Sequence, residues 1–239
     1  MNATRKPATR ASPARPKPTR RKLGQAEQTL TDRAYGALEE MIVTLQLAPG
    51  AAVSEAELSQ RLAIGRTPIR EALQRLAREK LVQILPRRGV IVSDINVKTQ
   101  LRLLEVRREV ERLVARSAAR RALPEERERF VALANGFERA ARTNDDLAFM
   151  RTDHEFNELS TLAARNEFAA ATMRLMQPLS RRFWYVHYKL AADMPESARL
   201  HAAIARKIAA ADEEAAALAT DALLDTVETF TRATLSAEL

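Results

Sequence analysis

The stretch IGRTPIREALQRL, residues 64–76, places four apolar side chains on one helical face. Their spacing of i, i+3, i+4 and i+7 predicts that Ile69, Ala72, Leu73 and Leu76 face a core. Thr67 followed by Pro68 is typical of a helix start, because Thr caps free amides and Pro at the first helical position loses no hydrogen bond. The opposite face is predicted to point outward and is basic, with Arg70, Gln74, Arg75 and Arg78.

Two shorter helical patterns precede this stretch. An apolar stripe over residues 32–45 predicts a first helix that ends at the APG turn, residues 48–50. SEAELSQRL, residues 54–62, begins with a capping box, in which Ser54 and Glu57 bond each other's backbone amides. Gly65 is predicted to end this second helix.

After Leu81 the pattern changes to VQILPRRGVIVSDI, residues 82–95. Two β-prone runs around a Pro-Arg-Arg-Gly turn predict a two-stranded hairpin. Three short helices followed by a hairpin indicate a winged helix-turn-helix, assigned to residues 27–93.

In a winged helix-turn-helix, the second helix of the motif lies in the major groove of double-stranded DNA, with its first turn nearest the bases. Residues 61–88 contain eight basic side chains against Glu71 and Glu79, so the charge is concentrated on this motif. The alternative is an ordinary solvated helix face. The predicted DNA contacts are Arg66, Thr67, Arg70, Arg75 and, in the wing, Arg87, Arg88 and Gly89.

Residues 1–26 form a basic, Pro-rich tail that is predicted to be disordered. The whole chain has a formal net charge of +8, and the first 22 residues alone account for it. The tail is interpreted as a solubilising arm, a start-site artefact or an auxiliary nucleic-acid arm, with a transit peptide as a weaker alternative. The absence of Cys and of a long apolar run predicts a cytoplasmic protein without a membrane partner, and the predicted DNA binding would make it nucleoid-associated.

The remainder is rich in strong helix formers and poor in Gly and Pro. It predicts a hinge at residues 94–97 and an all-α antiparallel bundle over 98–239, so the fold class is mainly α. Helices are predicted near 98–121, 124–142, 145–164, 167–189, 195–210 and 212–235, with Pro178 as a candidate break in the fourth.

The segment PGAAVSEAELSQRLAIGRTPIREALQRLAREKLV, residues 49–82, followed by PRRGVIV, resembles the DNA-binding domain of the GntR superfamily of bacterial transcription regulators. That resemblance implies DNA contacts by Arg66, Thr67, Arg70, Arg88 and Gly89. Two positions depart from the family pattern: Gly65 replaces the usual Ser or Thr, and Ala56 replaces an Arg that some members carry.

The helical part resembles the FCD effector domain of the FadR-like subgroup, through LEVRREVE (104–111) and DHEFNELSTLAARNEF (153–168). Many such domains hold a divalent metal, such as Zn, Ni or Mn, with one Asp and three His. The matching positions here are Asp153, Asn157, His201 and Leu223, so two of the four ligands are absent. His187 or Asn157 is a candidate substitute ligand; the favoured alternative is that Asp153, Asn157 and His201 bond a small molecule or one another. No cofactor is assigned with certainty.

Two arginines are further candidates for effector binding. Arg107 has a family counterpart that often points into the cavity, where it would favour a carboxylate ligand. The equal alternative is an internal ion pair with Glu111, four residues later. Arg182 lies in the aromatic segment SRRFWYVHY, residues 180–188, which is interpreted as ordinary core or as a pocket wall.

Together these features predict a ligand-responsive transcription regulator, specifically a repressor, that binds a pseudo-palindromic operator as a homodimer and responds to a small organic acid. A dimer is expected because one winged helix reads only a few base pairs. An architectural DNA-binding protein without sequence preference is the alternative. An enzyme is not favoured, because no nucleophile-and-base arrangement, phosphate loop or complete metal tetrad is present.

Overall fold

The computed structural model describes residues 29–86, 89–191 and 193–237. The basic tail, with its predicted disorder, and the wing residues Arg87 and Arg88 lie outside the described residues.

The N-terminal part is a three-helix unit with a small sheet. Its elements are α1 (Leu30–Val43), β1 (Ala52–Val53), α2 (Glu55–Leu62), α3 (Arg66–Arg78), β2 (Val82–Leu85) and β3 (Gly89–Val92). The predicted hairpin is confirmed as antiparallel β2 and β3. The sheet has a third strand that the sequence analysis missed, because the two residues of β1 are too short to show an alternating pattern; they pair with β3 in the order β1-β3-β2.

Two predicted helix ends are wrong by one or two residues. Helix α2 ends at Leu62, and its C-cap is Ala63, which has a left-handed backbone with φ 52°, rather than Gly65. The turn is tight because Ser59 Oγ donates to the carbonyl of Ile64, whose side chain is buried. As a result α3 begins at Arg66 with Gly65 as its N-cap, and Thr67 and Pro68 lie inside its first turn.

The core of this unit follows the predicted stripe. Ile69, Ala72, Leu73 and Leu76 of α3 are buried against Leu38 and Ile42 of α1, Leu58 of α2, and Val82, Val90 and Val92 of the sheet. Burial of large aliphatic side chains contributes about 1.5–3 kcal/mol each. This packing fixes which face of α3 is left for solvent.

Six helices form the C-terminal bundle, and their bounds lie within two residues of the predictions. They are α4 (Val97–Arg121), α5 (Pro124–Thr143), α6 (Asp146–Ala163), α7 (Glu167–Ala191), α8 (Met194–Ala209) and α9 (Glu213–Ala237). Helix α7 continues through Pro178 without a break. Met173 and Met176 before the proline, and Ser180 and Phe183 after it, are all buried, so packing offsets the hydrogen bond that Pro removes.

An aromatic cluster forms the centre of the bundle. Phe137 of α5 lies 5.9 Å from Phe149 and 5.8 Å from Phe156 of α6 between ring centroids. Buried alanines such as Ala134, Ala198 and Ala205 let α5 and α8 approach closely around it. Across the described ranges, no helix combines the length and the apolarity needed to cross a membrane.

Helix α7 connects the two parts of the molecule. It contacts α1, and Leu179 packs against the N-terminal core. The covalent connection is short: β3 ends at Val92, and Asn96 caps α4 by accepting a hydrogen bond from the amide of Thr99. The link is therefore 93–96, and Val97, which the predicted hinge included, is already helical and buried.

Candidate nucleic-acid interface and interior cavity

The first turn of α3 presents an exposed basic surface. Arg66, Thr67 and Arg70 are all exposed, as predicted from the helical register. Because the N-cap Gly65 has no side chain to cap the helix, the first-turn amides remain available to a phosphate oxygen. The turn can thus donate hydrogen bonds from arginine guanidinium groups to base edges and from backbone amides to a phosphate.

Glu55 of α2 holds the guanidinium of Arg70. Arg70 Nε donates to Oε1 at 2.8 Å and Nη2 to Oε2 at 2.7 Å. The pair lowers the pKa of the Glu55 carboxyl below its usual value. Glu55 does not engage Nη1, so Arg70 keeps donors for DNA while one edge of its fork is fixed.

Arg75 does not share the exposed face predicted for it. Its guanidinium carbon lies 3.6 Å from the centroid of the Tyr35 ring, and its side chain is 33% exposed. It also pairs with Asp32 at 3.5 Å and Glu79 at 3.4 Å. Arg75 therefore joins α3 to α1, and these internal contacts compete with the DNA contact predicted for it, which stays a prediction.

The same cluster provides a stability test. Tyr35 donates its hydroxyl to Glu79 Oε2 at 2.8 Å, and Glu79 is 6% exposed. Tyr35→Phe is expected to lower the free energy of unfolding by about 1–3 kcal/mol, since a buried carboxylate loses a donor. Urea denaturation measures this change. Thr31→Ala, which removes an exposed hydroxyl bonded to Glu71, is the control and should stay within about 0.5 kcal/mol of wild type; equal losses in both variants would contradict the buried-pair account.

Gly89 is placed at the start of β3 with φ 91°. A Cβ there would lie 3.2 Å from the carbonyl oxygen of Val53. Both observations explain why this position of the wing is a glycine: the backbone conformation and the nearby carbonyl oxygen disfavour any side chain. Contact with DNA by Gly89 stays a prediction, as it does for Arg87 and Arg88.

The second candidate site is a cavity of about 110 Å³ inside the helical bundle, bounded by α4, α6, α7, α8 and α9. Much of its wall is apolar and comes from Phe149, Phe156, Met173, Trp184, Ile204 and Leu223. Its charged and amide-bearing residues include Arg107, Glu111, Asp153, Asn157, Arg181 and His201. An apolar cavity with a few convergent polar groups is the usual form of a small-molecule site.

Asp153 contacts both Asn157 and His201, in line with the favoured alternative. His201 Nε2 lies 3.1 Å from Asp153 Oδ1, and Asn157 Nδ2 donates to the same oxygen at 3.0 Å. Burial opposes both charges, but the pair holds the pKa of Asp153 below and that of His201 above its ordinary value, with Arg181 and Arg107 also favouring the Asp153 carboxylate. His201 Nδ1 is 2.7 Å from the carbonyl of Ser197, so both ring nitrogens can donate in the imidazolium form.

These residues do not fit the metal site that the family resemblance implies. Within the ranges the structure describes, no group of three or more His, Cys, Asp or Glu side chains could hold a metal ion. Leu223 lines the cavity where a ligand is expected, and Asn157 is bonded to Asp153. His187 is buried with its ring 4.6 Å from Phe183 and is not among the cavity-lining residues, so it does not replace a missing ligand.

Restoring the absent ligands is expected to create a metal site. In the double variant Asn157→His and Leu223→His, excess Ni²⁺ or Zn²⁺ should raise the melting temperature by roughly 5–10 °C, because a ligand at about 100 times its Kd contributes about 2.7 kcal/mol. EDTA should reverse the shift. Thermal denaturation of the wild type should show no such rise, and a reversible rise there would contradict the misfit.

Arg107 and Arg182 differ in their relation to the cavity. Arg107 lines it, but Nε donates to Glu111 Oε1 at 2.7 Å and Nη2 lies 2.5 Å from the same oxygen, so the internal ion pair is formed. The prediction that Arg182 lines the cavity is wrong. Its side chain is fully buried, and Nη2 donates to the carbonyl of Ser93. Burial lowers the pKa of Arg182 to about 10, against the opposing charge of Asp94.

Arg181 and Ser160 are polar residues of the cavity wall that the sequence analysis did not single out as binding residues. Arg181, rather than its neighbour Arg182, lines the cavity. Ser160 also lines it, is 6% exposed, and its hydroxyl has no hydrogen-bond partner. A buried hydroxyl costs free energy unless a water or a ligand bonds it, so Ser160 offers a polar contact to a molecule in the cavity.

Comparison with known proteins assigns both parts of the chain. Residues 30–92 match the family described as bacterial regulatory proteins, gntR family, and residues 102–226 match the FCD domain. The first match contains α3 and the wing, and the second contains most of the cavity wall.

Similar curated proteins are helix-turn-helix regulators. One from Streptomyces ambofaciens, described as an uncharacterised regulator in an unstable DNA locus, is 50% identical over 62 residues, which are 26% of each chain. The repressor RspR of Escherichia coli K12 is 38% identical over 92 residues, 38% of this chain and 40% of that protein. These matches thus span well under half of those relatives. The galactonate operon repressor of E. coli K12 is 28% identical over 210 residues, 78% of this chain and 90% of that protein.

Among solved structures, E. coli McbR/YncC is similar with a TM-score of 0.72 and 16% identity, covering 87% of this chain and 99% of that one. This likeness concerns the fold. Members of the two matched families are transcription regulators and not enzymes. The chain belongs to the gntR family of bacterial regulatory proteins and carries an FCD domain.

Proposed function

We propose that this protein is a ligand-responsive repressor that binds a pseudo-palindromic operator as a homodimer and is controlled by a small organic acid in the bundle cavity. The observation that carries the proposal is the cavity with the unpartnered Ser160 hydroxyl, in the same chain as an exposed basic first turn of α3. The names of similar proteins, RspR and the galactonate operon repressor, favour repression over activation.

The size of the cavity limits the effector. An engineered cavity of about 150 Å³ accepts benzene, and this one is about 110 Å³. An effector of about four to six non-hydrogen atoms fits that space by this comparison. Its hydrocarbon part would contact Phe149, Phe156 and Trp184, and its charge would be met by the basic side chains of the wall.

The homodimer rests on the reading range of one winged helix. A single α3 contacts only a few base pairs, and two copies about 34–36 Å apart would reach successive major grooves. Such a repressor acts on chromosomal DNA, which places it in the cytoplasm at the nucleoid.

Selection from a random duplex library tests this proposal. The expected result is an inverted repeat that binds roughly 10³-fold or more tightly than random DNA at physiological salt. Mass photometry of the complex should show two chains on each duplex. An architectural protein would instead bind all duplexes alike, with an affinity that falls steeply with salt, and that outcome would reject specific regulation.

A further inference from the structure

We propose that Arg181 is the residue that binds the carboxylate of the effector, and that the effector thereby competes with Glu39 and Glu40 of α1 for this guanidinium. The inference rests on the proposed function, because it assumes an organic acid in the cavity. It names the residue that anchors the effector and the contact through which effector binding in the cavity changes the DNA-binding unit.

Arg181 belongs to both sites. Its side chain lines the cavity, and it also reaches α1, where Nη1 is 3.3 Å from Glu39 Oε1 and Nη2 is 3.4 Å from Glu40 Oε2. Because α1 packs directly on α3, the DNA-reading helix, a change in the position of α1 is transmitted to the reading surface. One guanidinium thus connects the cavity with the unit that binds DNA.

The contacts of Arg181 are weak enough to be exchanged. Ordinary charge-assisted bonds measure about 2.7–2.9 Å, whereas both of its contacts exceed 3.2 Å and each carboxylate receives a single nitrogen. Burial raises the pKa of Glu39 above its usual value even though the charge of Arg181 opposes that rise. The pairing therefore leaves part of the burial cost of Glu39 uncompensated.

The other cationic groups of the cavity are held more firmly. Among the described residues, the wall contains Arg107 and His201 besides Arg181. Arg107 gives two nitrogens to Glu111 at 2.5 and 2.7 Å, and both side chains are 13% exposed. His201 pairs with Asp153, and both are less than 20% exposed. Recruiting Arg107 or His201 would break a contact of 3.1 Å or less to a buried carboxylate. Recruiting Arg181 gives up two longer contacts, one to Glu39, which is 16% exposed, and one to Glu40, which is 57% exposed and can be hydrated.

Arg182 forms a second contact between α7 and the DNA-binding unit, beside the contact of Arg181 with α1. The residue that follows Arg181 on α7 bonds the carbonyl of Ser93, in the link between β3 and α4. A ligand shifts a conformational equilibrium only if it interacts differently with the two states. Competition for Arg181 supplies that difference, because the tether to α1 and the bond to the effector draw on the same guanidinium.

Binding of butyrate and of its neutral isostere butyramide to the full-length protein tests the anchor. By isothermal titration calorimetry, butyrate should bind the wild type, and Arg181→Gln should weaken it by about 10- to 100-fold, which is the range for a lost charged hydrogen bond. Butyramide should bind the wild type weakly, and Arg181→Gln should change its affinity by less than about threefold. Arg181→Lys should keep most of the butyrate affinity, which separates charge from misfolding. Arg174→Gln, an exposed arginine on the same helix, is the matched control.

Hydrogen exchange followed by mass spectrometry tests the tether. Butyrate should increase exchange of α1 amides in the wild type and not in Arg181→Gln. The double variant Glu39→Gln and Glu40→Gln should show raised α1 exchange without any ligand. If α1 exchange in that variant equals that of the wild type, the tether is absent and the inference is wrong.

The outcomes separate this inference from the proposed function. Butyrate binding that survives Arg181→Gln overturns the role of Arg181 and leaves an organic-acid effector in place. Failure of butyrate to bind the wild type overturns the anchor and counts against the acid effector as well, while operator selection still decides whether the protein is a sequence-specific regulator.

Discussion

Arg70→Ala is expected to weaken binding to the selected operator by about 5- to 150-fold, corresponding to about 1–3 kcal/mol for one base-reading arginine. Binding to random duplex should fall by much less. The expectation follows from the exposed place of Arg70 in the first turn of α3 and from the bidentate pair that fixes one edge of its fork on Glu55. Fluorescence anisotropy with both duplexes, at one fixed salt concentration, measures the two affinities.

Glu55→Gln shows whether the pair positions Arg70. An amide keeps one acceptor but loses the charge, so the affinity for the operator should fall by less than in Arg70→Ala, and the ratio of operator to random binding should decrease. Arg33→Ala, an exposed arginine on α1, is the control and should leave that ratio unchanged. If Arg70→Ala lowers the affinity for operator and for random DNA equally, Arg70 contacts only phosphate.

Local signals were sufficient to predict the helices. Helix bounds depend on caps, breakers and periodicity within a few residues, and the described helices follow the predictions closely even where only Ala and Leu mark them. The errors concern features set by distant contacts. Thr67 and Pro68 form a good helix start in isolation, but the buried Ile64 and its bonds with Ser59 end the preceding turn earlier.

The candidate site was predicted less completely, because orientation around a helix depends on tertiary packing. Arg181 and Arg182 are adjacent and chemically identical, yet about 100° apart around an α-helix of 3.6 residues per turn. The packing of α7 on α4 decides that Arg181 lines the cavity while Arg182 reaches Ser93. Likewise, Arg75 was predicted as exposed from the register of α3, but Tyr35, forty residues earlier, covers it.

Family resemblance and geometry have complementary roles at the cavity. The resemblance identified Asp153, Asn157 and His201 as a group, and the structure brings them into contact. The resemblance already showed that Asn157 and Leu223 replace two metal ligands, and the structure adds that His187 packs on Phe183, does not line the cavity and so does not replace either of them. The unpartnered Ser160 hydroxyl has no sequence signal at all.

The largest loss of stability is expected for Phe137→Ala. Phe137 is fully buried, and its ring centroid lies 5.1 Å from that of His201 as well as near Phe149 and Phe156. Removing a buried phenyl group costs about 3–5 kcal/mol, because the lost burial and the cavity left behind add together. Urea denaturation followed by the fluorescence of Trp184, the single Trp of the chain, reports directly on the bundle.

The matched control is Phe168→Ala, since Phe168 is 77% exposed and should change the free energy of unfolding by less than about 0.5 kcal/mol. Phe137→Ala has a second consequence, because its ring supports one face of His201, which pairs with Asp153 in the cavity wall. Butyrate binding should therefore weaken in this variant at temperatures where it remains folded, whereas Phe168→Ala should bind as the wild type does. A stability loss below about 1 kcal/mol, or unchanged butyrate binding in the folded variant, would show that the aromatic cluster does not support the cavity.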